Sequence, residues 1–334
     1  MTSYATFEDA LASATGQKNL LTGNGLSIAF DSSFGYARLF DAADFEVRNP
    51  SIAGVFSALG THDFESVAGA LVTTRDIARR FSQDSFADSL EVTLENLKGD
   101  LITAVRDTHP ESRAAVSDAQ CMNLQSFFAP FFDDDGCIFS LNYDALAYWA
   151  VLRNTQASPV RGRFADGFGD PAEGNVRFLG DGCARPVNLL FPHGCLFIFE
   201  EDGNVYKPQA VVRETPLLEI INSNMEQGKF PLFVSEGTSA QKLKAIRKNH
   251  YLNYAFDKLG AARDNFFIYG HSLDRSSDGH ILDMIAKNDE INHIYASFYQ
   301  DEDEVLGRLH LLRSEAGRPS LNIHTFPSYS ATCW

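Results

Sequence analysis

Four stretches of the chain carry residue types able to hold a ligand or move a proton. Asn142-Tyr143-Asp144 sets a carboxamide and a carboxylate two positions apart, directly after the apolar run Ile138-Phe139-Ser140-Leu141. His193-Gly194 closes another apolar run, and an imidazole titrates near neutrality and is the common choice for moving a proton. Gly23-Asn24-Gly25-Leu26-Ser27 follows Leu20-Leu21, and Gly270-His271-Ser272 follows Phe266-Phe267-Ile268-Tyr269. Glycine turns of this kind let backbone approach a pyrophosphate closely, and a helix opening there offers unpaired N–H groups. Ser297 ends a further apolar run. Each stretch also has a plainer reading. Asn142 or Asp144 caps the helix that follows, His193 is a hydrogen-bonded structural residue, and the Gly and Ser positions are turn chemistry.

Spacing narrows the chemistry. A hydride-transfer fingerprint requires a glycine three residues after Gly25, where Ile28 stands, and no Gly-Lys-Ser/Thr occurs. The first turn therefore suits a dinucleotide but not an ordinary dehydrogenase. Neither H-E-x-x-H nor G-x-S-x-G is present. Asp133-Asp134-Asp135-Gly136 lacks the alternation of an EF-hand loop and reads as a turn. Lys242, Lys244, Arg247 and Lys248 read as the solvated face of a helix, and the acidic residues 301–304 as complements to a helix N-terminus. Arg161 and Arg163 read as solvent-facing loop residues.

Positioning such groups requires a scaffold. Apolar runs alternate with helical segments, the pattern of a doubly wound, parallel-sheet α/β fold whose ligands sit beyond the C-terminal ends of strands. Strands are predicted at 138–141, before His193, at "PLFVSEG", "NFFIYG", "HIYASFY" and "LNIHTF", and a hairpin turns at 201–204. Thr238 and Gln241 have capping-box spacing for one long helix carrying Leu243, Ile246, Leu252, Phe256 and Leu259. Residues 1–35 and 136–334 read as the Rossmann-like domain, 36–135 as a mainly helical insert. Residues 155–187, rich in Gly and Pro, read as an irregular loop near the site.

The chain has 334 residues, 44% hydrophobic and 22% charged, enough for a sizeable core. Its formal net charge of −16 repels phosphate backbones, which excludes broad electrostatic binding of nucleic acid. Five cysteines without a C-x-x-C pair read as reduced thiols, and no apolar run approaches the roughly 20 residues that span a bilayer. The expectation is a cytoplasmic protein without nucleic-acid or membrane partners.

In the order G-x-G-x-S, N-x-D, H-G, G-x-S, each behind an expected strand, the chain resembles the sirtuin-like NAD-binding proteins. In "LLTGNGLSIAF", "FSLNYD", "FPHG", "FVSEGT" and "IYGHSLDRSSDGHIL" it resembles more narrowly the bacterial sirtuin-like group, many members of which hydrolyse NAD in antiphage defence. "HDFESV" (62–67) fits the Phe-Glu element of that group. The likeness spans about residues 18–300, least in the helical segment. It implies a pyrophosphate turn at Gly23, Asn24, Gly25 and Ser27, and an adenosine side at Gly270, His271, Ser272 and Ser297. Asn142 and Asp144 fall around the nicotinamide and its ribose, and His193 on the base. NAD is then the substrate, with no metal. An ATPase or other defence protein is the implied partner, a homo-oligomer is left open, and Glu236 has no assigned role. Two C-x-x-C zinc pairs and a P-D-F-R stretch are absent, and Leu141 stands where deacylating sirtuins carry glutamine. These departures weigh against protein deacylation and are compatible with NAD cleavage. The alternatives are an NAD- or ADP-ribose-sensing module without turnover, and ADP-ribosyl or acyl transfer from the same site.

Overall fold

The computed structural model describes residues 2–45, 49–153, 157–172, 174–208, 217–227, 229–234 and 238–334. In chain order its strands are β1 (Thr2–Ser3), β2 (Lys18–Thr22), β3 (Ile138–Ser140), β4 (Phe168–Ala172), β5 (Asn175–Phe178), β6 (Leu189–Leu190), β7 (Gly194–Glu201), β8 (Asn204–Pro208), β9 (Pro231–Phe233), β10 (Asp264–Tyr269), β11 (Ile291–Phe298) and β12 (Asn322–Pro327). Seven of them form a parallel sheet in the order β1-β12-β11-β10-β2-β3-β6. Its central strands are almost wholly buried, as both faces of a parallel sheet must be when crossover helices cover them. The fold is the expected doubly wound α/β type.

The order reverses beside β2. The chain runs outward from β2 through β3 to β6, then returns to β10 on the other side of β2 and runs outward through β11 and β12. Register aligns Thr22 with Ser140 and with Tyr269, and Ile268 with Ala296. The turns after β2, β3, β10 and β11 therefore open at one edge, around the reversal where doubly wound sheets hold ligands.

Between β2 and β3 lie the helices Tyr36–Ala43, Pro50–Leu59, Phe64–Arg80, Asp84–Thr108 and Asp118–Phe128. No strand occurs among the described residues of this segment. Among the described residues no helix is long and apolar enough to cross a membrane, and Cys121, Cys137, Cys183, Cys195 and Cys333 are all unpaired.

Three expectations need correction. Residues 155–187 are not an irregular loop throughout, since they contain β4 and β5, antiparallel partners in a second sheet ordered β4-β5-β8-β7-β9. Gly169, Asp170 and Pro171 sit inside β4, where the register shifts, and such strand-poor residues hide a strand from propensity reading. The apolar run before His193 is β6 of the parallel sheet as expected, but β9, from "PLFVSEG", pairs antiparallel with β7 in the second sheet and not in the parallel one. Third, the long helix is two, Ser239–Lys248 and His250–Gly260. Asn249 leaves helical geometry (φ −102°, ψ 133°), and its side chain accepts from Leu252 N to cap the second. The Thr238–Gln241 capping box and the hairpin at 201–204 form as predicted.

Candidate active site

The two glycine turns meet at the reversal point. Gly23 N donates to Tyr269 O at 2.9 Å and Gly25 N to Gly270 O at 2.8 Å. A Cβ on Gly25 would stand 2.6 Å from Gly270 Cα, and Gly270 itself has φ +65°. Glycine is thus demanded by the contact of turn against turn. This corrects the expectation of free N–H donors: those of Gly23 and Gly25 are engaged, and the helix Gly25–Phe30 has only six residues. Ser297 Oγ, at the end of β11, accepts from Gly270 N at 3.0 Å and holds the second turn in place.

Ser27 also departs from its expected role. It is buried behind the cavity wall rather than in it. Its hydroxyl donates to Asp144 Oδ2 and accepts from Asn142 Nδ2, the latter at 2.7 Å. The other Asp144 oxygen accepts from Leu146 N at 2.9 Å, so Asp144, one residue before the N-cap Ala145, satisfies the first N–H of the helix Leu146–Leu152. That leaves Asn142 unexplained by capping, as the sequence reading anticipated for one of the two. Because the Ser27 proton goes to the carboxylate, the amide must present Nδ2 to the hydroxyl. Asn142 Oδ1 is then buried with no hydrogen-bond partner. An orphaned buried carbonyl costs about 1–3 kcal/mol, so a ligand donor there would recover stabilisation. His109, from the helical segment, supports this turn from behind. Its Nε2 accepts from Ala145 N at 2.9 Å, which puts the ring proton on Nδ1 toward Pro110 O, and burial holds the ring neutral below its ordinary range.

His193 reaches the same cavity from the second sheet. Gly194 has φ +75°, and a Cβ there would lie 1.8 Å from Leu232 O, so only glycine lets β9 pack against this turn. Val234 N donates to His193 O at 2.9 Å, and Leu196 N donates to Tyr143 O at 2.8 Å. The second bond ties β7 to the Asn142–Asp144 turn.

The His193 ring enters a cluster that sequence reading did not assemble. Its Nε2 lies 3.0 Å from His280 Nε2 and 3.9 Å from Asp278 Oδ1. Asp278 accepts from Lys242 Nζ at 2.9 Å and from His271 Nε2 at 3.0 Å. Lys242 is fully buried, a correction to its reading as a solvated helix residue. Burial first, and then the Lys242 charge, hold His193 well below its usual value, so it is a neutral imidazole at pH 7. Burial alone would raise Asp278, but the His271 hydrogen bond and the Lys242 charge keep its carboxyl ionised well below the usual range. His271 Nδ1 accepts from Leu273 N at 2.9 Å, so both its ring nitrogens are used inside the protein. It braces Asp278 while lining the cavity.

Residues two apart in a regular helix point to opposite sides. Within Arg275–Lys287, Asp278 leaves helical geometry (φ −121°, ψ 21°). That break brings Asp278 and His280 to the same side, within 4.8 Å of His193. The same three donors invite a cation. A dication there would share Asp278 with the Lys242 ammonium, which lies 2.9 Å from the carboxylate, and like charges that close repel one another. The buried lysine argues for an ion pair with an imidazole pair, not a metal centre.

Gly23, Asn24, Gly25, Asn142, Asp144, His193, Gly270, His271, Ser272 and Ser297 all line one cavity of about 990 Å³, near the upper end of small-molecule sites. Phe64 lies in its wall, while the Glu65 side chain and residues 235–237, including Glu236, fall outside the described residues. Sequence reading also missed Arg308, the one Lys or Arg among the described lining residues, which donates to Ser272 O and pairs with Glu304. Exposed Tyr299 and Tyr329 stand at the β11–β12 end of the wall. A second cavity, about 630 Å³, is lined by Arg75, Glu91, Lys98 and Glu200 among others. There Arg75 pairs with Glu91, and Lys98 donates to Phe233 O.

No curated protein matches the chain. One family model does, over residues 20–334, nearly the whole length, and the chain belongs to that family, described as a domain of unknown function, DUF4917.

Proposed function

We propose that the protein is an NAD hydrolase cleaving the bond between nicotinamide and ribose, in keeping with the resemblance of its motifs to the sirtuin-like group. One observation carries the reading: an amide with an orphaned buried oxygen, Asn142, and a neutral imidazole, His193, line one cavity at the sheet's reversal point. Nicotinamide is a cationic leaving group, so the transition state is oxocarbenium-like and asks for positioning and a proton acceptor. Asn142 Oδ1 accepts from the attacking water or a ribose hydroxyl, and His193 takes the proton. Asp144 positions Asn142 through Ser27. With the glycine N–H groups engaged, Arg308 is the group suited to the diphosphate. Tyr299 and Tyr329 offer ring faces to the adenine.

The test is nicotinamide release from NAD. Asn142→Ala and His193→Ala should each lower the rate about 10²–10⁴-fold, and undiminished activity in both would refute the assignment. The second reading, a pocket that senses NAD or ADP-ribose, is favoured by the depressed basicity of His193. Calorimetry showing tight binding, with no turnover alone or with partners, would select it. Antiphage defence and an ATPase partner rest on the resemblance alone.

A further inference from the structure

We propose that His193 and His280 work as a proton-carrying pair, with His280 the positioning residue that receives the proton His193 takes from the reacting water. The inference rests on the hydrolase reading and extends it to a residue outside the cavity wall.

Two buried imidazoles meet through Nε2 atoms 3.0 Å apart, which requires one N–H donor and one bare acceptor. If His280 donated, His193 would carry its own proton on Nδ1 and face the cavity as a donor. The opposite tautomer makes His193 a base, with Nε2–H donating to His280 Nε2 and a bare Nδ1 left for a ligand. His280 Nδ1 is then an N–H, buried and without a partner in the protein. Three features support the second arrangement. His193 lines the cavity and His280 does not. The Asp278 carboxylate lies within 4.8 Å of both rings, where it stabilises an imidazolium. The helix departs from regular geometry at Asp278, and this break makes the juxtaposition possible.

The step balances. The water oxygen bonds to the ribose carbon as the carbon–nitrogen bond breaks, and that electron pair neutralises the nicotinamide ring. The water proton passes to His193 Nδ1, the His193 Nε2 proton passes to His280 Nε2, and His280 becomes the cation beside Asp278. Reversal of the two imidazole transfers, with proton loss to solvent from His193, resets the pair.

The experiment uses the full chain with His280→Gln, which keeps an acceptor for His193 but cannot carry a proton, and His280→Ala beside it. Nicotinamide release should fall about 10–100-fold in kcat for both, with KM nearly unchanged and an altered pH profile. Wild-type kcat and pH profile in His280→Gln overturn the pair, whereas a wild-type protein that releases no nicotinamide overturns the hydrolase reading instead. Imidazole ¹⁵N spectra decide the pair independently of turnover. A His193 ring bare at Nδ1 and protonated at Nε2 supports it; the reverse tautomer, or one tightly bound divalent metal per chain by elemental analysis, overturns it.

Discussion

On the β3 wall of the cavity, Asn142 and Asp144 are joined through a neutral hydroxyl, Ser27, and the helix cap and His109 hold the turn from behind. On the other wall, His193 rests on His280 above a buried Lys242–Asp278 ion pair braced by His271. The first wall is local: Asn142 and Asp144 lie two residues apart, and a single partner orients both. The second is assembled from the β6–β7 junction and the helices Ser239–Lys248 and Arg275–Lys287, and it holds an ion pair whose lysine is fully buried and whose aspartate borders the cavity. A polar group on the first wall can be lost for the cost of its hydrogen bonds. A charge lost from the second leaves its partner buried and uncompensated.

The largest effect should therefore come from the second wall. Lys242→Met removes the cation from the Asp278 carboxylate and should cost about 3–5 kcal/mol in urea unfolding, and a loss under about 1 kcal/mol would break the contrast between the walls. Next comes the junction of the glycine turns. Gly25→Ala drives a methyl into the Gly270 backbone, which has no flexible end to yield, and should cost about 3 kcal/mol. Wild-type stability there would show that the turns separate readily. Ser27→Ala, on the first wall, should cost about 2 kcal/mol for the groups it unpairs, and nicotinamide release should fall with it although Ser27 lines no cavity. Retained activity would free Asn142 from that support.

Smallest near neutrality is the acid response. Burial, against the pull of Asp278 and Asp283 and with the push of Lys242 and His271, lowers His280 from its ordinary 6.5 to about 4. The unfolded chain takes up this proton first as pH falls, so its contribution to stability is complete above about 6.5, shrinks between there and about 4, and then levels. Unfolding midpoints measured from pH 7.5 to 4.5 should fall less steeply in His280→Gln than in the parent, and parallel curves would remove His280 from the response. His109, also held neutral by burial behind the first wall, should keep its share of the slope in that variant.

Much of the first wall could be read without coordinates. Asn142-Tyr143-Asp144 and the Gly23 turn announce themselves because their function is local: a strand ends, a turn follows, and residue type and spacing record both. The hairpin at 201–204 and the Thr238 cap were legible for the same reason. Lys242 was misread because one residue on a basic helix face looks like its neighbours until Asp278 arrives from another helix. His280 left no signal, since it sits two residues after Asp278 in what reads as ordinary helix. β4 and β5 were hidden by Gly, Asp and Pro in an edge hairpin.

By itself, then, the order of apolar runs, glycine turns and polar residues determined the α/β architecture and the edge of the sheet at which those polar residues gather, because these are encoded in periodicity and in residues that only turns accept. Tertiary packing alone decided which N–H groups are already spent, that Ser27 serves Asn142 rather than a phosphate, and that His193 has a second imidazole and an ion pair behind it. Distance and desolvation between segments far apart in the chain set those outcomes, and neither leaves a mark on the spacing of residues along it.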